Sequence, residues 1–170
     1  MVQKLAGWAA TTIAAILATD SGFAADAGIP WLDEMRVGGT MSASTPLSAS
    51  VEAQALFSPL PTPVKPYNPF WSWLFSPRPF LGASISAEGK TDFAYAGLDW
   101  IVPIYGPFFG ELTAGGVVHD QTLNKVYDDR PWPMTTRFLF RESAALGYQI
   151  NSSWRILAFA DHASNGDFGY

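Results

Sequence analysis

The sequence predicts an all-β chain: an antiparallel, up-and-down β-barrel of the kind found in outer membranes. Three observations point there. Runs of roughly ten residues alternate between apolar and other side chains, with turn signals between them. Charged residues make up only 15% of the 170-residue chain while aromatics reach 15%, a balance that suits a barrel in lipid or a β-rich soluble domain. The N-terminus reads as an export signal, and no later stretch is long and apolar enough for a transmembrane helix. A formal net charge of −5 argues against nucleic acid, which needs a basic footprint. The absence of cysteine removes disulfides and thiolate metal sites.

Lys4 precedes an apolar run, Leu5–Ala18. Small residues follow at Gly22, Ala24, Ala25 and Ala27, so cleavage is expected after Ala24 or Ala27. The run is short of the ~20 residues that a membrane anchor needs. Residues 1–27 are therefore expected as a signal peptide and 28–170 as the barrel domain.

Seven strands are expected in the barrel domain. Glu34–Ser42 is a weak first one and Val51–Phe57 the second. A connection rich in proline and aromatics, Ser58–Pro77, follows. Its prolines keep it out of a ladder interior. Its aromatics suit either the headgroup level of a bilayer or a loop packed on the barrel, with Phe70–Phe75 read as an interfacial belt. Pro79–Ala87, Asp92–Val102 and Phe108–Val118 alternate clearly. A polar loop, His119–Pro133, carries Asp128, Asp129 and Arg130 and is expected to be solvated, with His119 a bland residue at its start. The hairpin Arg137–Ile150 and Trp154–Ala163 completes the set.

That hairpin fixes a register. Phe138, Phe140, Glu142, Ala144, Leu146, Tyr148 and Ile150 share one face of the first strand. Trp154, Ile156, Ala158, Ala160, His162 and Ser164 share one face of the second. Pairing these apolar faces requires an even residue sum, which a three-residue turn at Asn151–Ser153 provides. Counting back, Tyr148 meets Ile156, Ala144 meets Ala160, Glu142 meets His162 and Phe140 meets Ser164. The opposite faces carry Arg137, Arg141, Gln149, Arg155 and Asp161. They should line the lumen, with Arg137 and Arg141 paired to Glu111 or Asp99.

The apolar, outward face thus holds a carboxylate, a histidine and a serine in neighbouring positions. Such a set can act as orienting acid, base and nucleophile. Ser164 attacks an acyl carbonyl, His162 carries the proton, and Glu142 holds the imidazole. Asn165, Gly166 and the backbone there can donate to an oxyanion. With the mature N-terminus in the periplasm, the site lies at the outer rim, where headgroups give way to acyl esters.

The segment Asp161–Gly166 (DHASNG), with Arg141–Gln149 (RESAALGYQ) before it, resembles the outer-membrane lipid A 3-O-deacylases of the PagL type, also called acyloxyacyl hydrolases. The resemblance covers roughly Pro79–Tyr170. It implies an eight-stranded barrel that hydrolyses the 3-hydroxyacyl ester at position 3 of lipid A, without metal or other cofactor. Lipopolysaccharide in the outer leaflet would be its substrate and the outer membrane its location. A homo-oligomer is left open. The family's histidine, serine and asparagine map onto His162, Ser164 and Asn165. Its acid comes from the last strand, downstream of the serine; here the register supplies Glu142. About seven strands of the eight are visible, and an open edge is not viable in hydrocarbon. Closure is expected from a longer reading frame that supplies a C-terminal strand missing here, a reading preferred over closure by an N-terminal segment or a second chain.

Two other classes stay open: a non-catalytic surface barrel, indifferent to His162 and Ser164, and a soluble lipid-binding barrel. The last predicts apolar residues inside and polar ones outside.

Overall fold

The computed structural model describes residues 12–19, 31–42, 48–61, 69–89, 91–120 and 136–164. Of 12–19 only the backbone is described. Among the described residues, eight antiparallel strands run in sequence order around a closed barrel. They are β1 (Thr12–Thr19), β2 (Leu32–Ser42), β3 (Ser48–Phe57), β4 (Arg78–Ser86), β5 (Phe93–Tyr105), β6 (Phe108–His119), β7 (Phe138–Gln149) and β8 (Trp154–Ser164).

β2 to β8 are the seven expected strands, with boundaries moved by one to three residues. β5 runs longer than expected. It continues through Pro103 across a register shift before turning at Gly106-Pro107, and Gly106 takes the positive φ that the turn requires. The eighth strand, β1, is made by residues of the segment expected to be the signal peptide. It pairs along eight residues with β2 on one side and with β8 on the other.

Alternation decides which side chains go inside. In β7 and β8 the odd-numbered residues from Leu139 to Gly147 and from Arg155 to Phe159 are buried or half-buried, while the even-numbered ones are exposed. The exposed face is apolar, with Val37, Val51, Leu81, Leu112, Phe138, Leu146 and Ile156 all open. Polar and charged groups are buried: Glu34, Arg36, Glu52, Arg78, Asp99, Glu111, Arg141 and Arg155. This inside-out arrangement fits a barrel whose outer wall meets lipid, and it is the reverse of what a soluble lipid-binding barrel needs.

The lumen is filled rather than open. Arg36 binds Glu111 through two nitrogens, at 2.6 and 2.7 Å, and Glu34 at 2.6 Å. Arg78 binds Asp99 at 2.7 Å and Glu34 at 2.9 Å. Two apolar clusters pack beside these pairs, one around Phe109, Leu157 and Phe159, the other around Leu56, Phe80, Tyr95, Val117 and Leu139.

The lumen corrects two sequence expectations. Arg141 does line the interior, but it pairs with Asp161 and Glu52. Glu111 is already matched to Arg36 across the lumen, and Asp99 to Arg78, its register partner on β4. Arg137 is exposed and precedes β7; parity sorts residues only where a ladder exists.

Part of the connection from β3 to β4 forms a short helix, α1 (Pro69–Leu74). It lies against the wall of β5: the Trp73 indole donates to the Ile101 carbonyl at 2.7 Å, and the Trp100 indole to that of Leu74 at 3.0 Å. Phe70, Trp71 and Phe75 remain exposed. The segment is therefore packed on the barrel by one face and open by the other. His119, expected at the start of the solvated loop, is instead the buried last residue of β6, with its Nε2 2.8 Å from the Thr136 carbonyl. Asp128, Asp129 and Arg130 lie outside the described residues.

Candidate functional site

β7 and β8 build the site. Their turn sets the pairing: the Asn151 side-chain oxygen accepts from the backbone of Ser153 and Trp154 at 2.8 and 2.9 Å, and the Ile150 N–H donates to the Trp154 carbonyl at 2.9 Å. The loop is closed by its own asparagine, so the ladder starts in one register. From there Tyr148 faces Ile156, Ala144 faces Ala160, Glu142 faces His162 and Phe140 faces Ser164. Every pair agrees with the register expected from parity and turn length.

Glu142 is exposed on the outer face, and His162 and Ser164 are half-buried at the end of β8. On the outward faces of β2 to β8, Glu142 is the only carboxylate and His162 the only basic side chain among the described residues. The two are directly opposed, a position in which Cβ atoms of paired strands stand about 5 Å apart. Among the described residues no hydrogen bond joins the side chains of Glu142, His162 and Ser164. In a resting site such bonds are often loose and tighten around the substrate. Asn165 and Gly166 lie outside the described residues.

The site stands at one rim. β8 ends there, β7 begins there, and β6 ends there with His119. The opposite rim carries the tight turns at Gly106-Pro107 and Asn151–Ser153, together with α1. The surroundings differ sharply below and behind the trio. Along the outer wall toward the far rim the neighbours are Ala144, Ala158 and Ala160, then Leu146 and Ile156, a wall that fits hydrocarbon. Behind them, inside the barrel, Arg141 Nε donates to Asp161 Oδ2 at 2.8 Å.

Parity and pattern miss one component, the inward pair of Arg141 and Asp161. Both residues were placed on the inner face, but their partnership is diagonal: Arg141 is registered with Ala163, and Asp161 with Ser143. Diagonal neighbours are within reach of a long side chain, which is the signal that could have found it.

Residues 103–169 match the family model described as Lipid A 3-O-deacylase (PagL). The match spans the end of β5, all of β6, β7 and β8, and the Asp161–Gly166 segment. No curated protein and no solved structure matches the chain.

Proposed function

We propose that this chain, PagL-like over residues 103–169, is an outer-membrane esterase that removes the 3-O-linked 3-hydroxyacyl chain of lipid A. The observation that carries this reading is the direct opposition of Glu142 and His162, the only carboxylate and the only imidazole on the outer wall among the described residues, one same-face position from Ser164. Charged groups facing hydrocarbon are costly and mark function. An ester buried at the level where headgroups meet acyl chains is a substrate that such a wall can reach without extracting the lipid.

Ser164 Oγ attacks the ester carbonyl while His162 takes the hydroxyl proton. Glu142 orients the ring and stabilises the imidazolium. Donors at Asn165 and Gly166 receive the oxyanion, a contribution of about 3–4 kcal/mol when one such donor is tested alone. Collapse breaks the ester bond, and His162 returns its proton to the sugar 3-oxygen as it leaves. Water, activated by His162, then attacks the acyl-serine and releases a 3-hydroxy fatty acid. The chemistry calls for no metal or cofactor. Residues 1–27 are proposed as the export signal.

Kinetics of the purified barrel on lipid A in mixed micelles test these roles. Ser164→Ala and His162→Ala should lower kcat by about 10³-fold or more, as when members of a triad are removed. Wild-type rates in either variant, with the barrel still folded, exclude this mechanism.

A further inference from the structure

Arg141 and Asp161 stand one residue away from Glu142 and His162 respectively, on the opposite side of the wall. The guanidinium donates to Asp161 at 2.8 Å and lies 3.6 Å from Glu52 on β3. It also sits over the Tyr95 ring, 4.2 Å from its centre, and the Tyr95 hydroxyl donates to Glu52. Its side chain is almost wholly buried and that of Asp161 only 14% exposed. Planar, forked and always charged, the guanidinium is suited to holding several partners at once.

We infer that the Arg141–Asp161 pair is a positioning clamp for the esterase site proposed above. Strand ends fray, and β8 has only three described residues beyond Asp161. The two of them with proposed roles, His162 and Ser164, need fixed geometry relative to Glu142. Within the hairpin, Arg141 reaches across to β8 at this level and ties it to β7. Through Tyr95 and Glu52 it ties both to β5 and β3. Because side chains alternate across a strand, holding Asp161 inward holds His162 outward. Among the described residues, the other lumen pairs centred on Arg36 and Arg78 involve β2, β4, β5 and β6, and Arg155 ties β8 to Glu34 of β2 near the opposite rim; none grips the hairpin at the level of Asp161.

The test uses the full chain in detergent with lipid A as substrate, with Asp161→Ala, Asp161→Glu and a distant control, Asp99→Asn. Wild-type deacylation comes first; its absence sinks the esterase reading itself. With an active wild type, Asp161→Ala should cut kcat roughly 10- to 100-fold with KM unchanged, because misplaced reacting groups cost rate rather than binding. Asp161→Glu should restore part of it. Asp99→Asn should lower thermal stability while kcat stays within about twofold of wild type. If Asp161→Ala does not fold, the double variant Arg141→Met/Asp161→Met removes both charges of the pair together, Glu52 keeping its Gln54 and Tyr95 donors, and the same fall in kcat is expected. A folded variant with wild-type kcat overturns the clamp, as does an equal loss in Asp99→Asn.

Discussion

At the scale of single residues, the site depends on one pairing. Glu142 and His162 are opposed because their strands meet in a register that the Asn151–Ser153 turn sets. Glu142→Gln keeps the shape and removes the charge, so it should lower kcat by about 10²- to 10⁴-fold, the range seen when a triad acid is neutralised or a general base is lost. Steady-state kinetics of the folded variant check this, and an unchanged rate removes Glu142 from the mechanism. Elsewhere single residues matter by size. Gly97 and Gly115 are paired across β5 and β6, and a Cβ on Gly115 would run into the Ala96 carbonyl and the Gly97 backbone. Backbone cannot yield as a side chain can. Gly115→Ala should cost about 1–3 kcal/mol, read as a lower denaturation midpoint in detergent.

At the scale of elements, the hairpin was legible in the sequence and the lumen was not. A strand has a period of two, so its apolar face and its parity are written in it. A three-residue turn then leaves one register for β7 and β8. Which arginine meets which carboxylate is not written in parity: it takes diagonal reach to the neighbouring strand for Arg141 and Asp161, and closure of the barrel for Arg141 and Glu52. This is why Arg141 was expected beside Glu111 or Asp99 and stands instead beside Asp161 and Glu52. The helix α1 was hidden for another reason. Six residues are too few to show a helical period, and the prolines around them read as a loop. Two indole hydrogen bonds hold it to β5. Trp73→Phe deletes one of them, worth about 1 kcal/mol. It should speed chymotryptic cleavage within Phe70–Phe75 without altering deacylation, since α1 lies at the rim opposite the site.

At the scale of the whole molecule, an apolar outer wall and ion pairs inside are one design. Arg36 holds two buried carboxylates, Glu34 and Glu111. Arg36→Leu strands Glu111 and leaves Glu34 to Arg78 and Arg155; it should cost about 3–5 kcal/mol, seen as loss of the heat-modifiable form on gels at lower temperature than for wild type. Closure itself sets two demands against each other. As β1, Thr12–Thr19 covers the edges of β2 and β8; as part of a signal peptide it is removed. The intact mass of the inserted barrel separates these fates. A chain that retains Thr12 keeps β1 as the closing strand. A chain that starts at Ala25 or Gly28 requires another strand at the β2–β8 seam, because an unpaired edge is not tolerated in hydrocarbon.

The most direct test of the proposed activity is mass spectrometry of lipid A from bacteria producing either the wild-type chain or Ser164→Ala. Wild type should remove one ester-linked 3-hydroxyacyl mass, and Ser164→Ala, inserted to the same level, should leave lipid A intact. Unaltered lipid A in cells with a well-inserted wild-type barrel would contradict the assignment and favour a non-catalytic surface barrel.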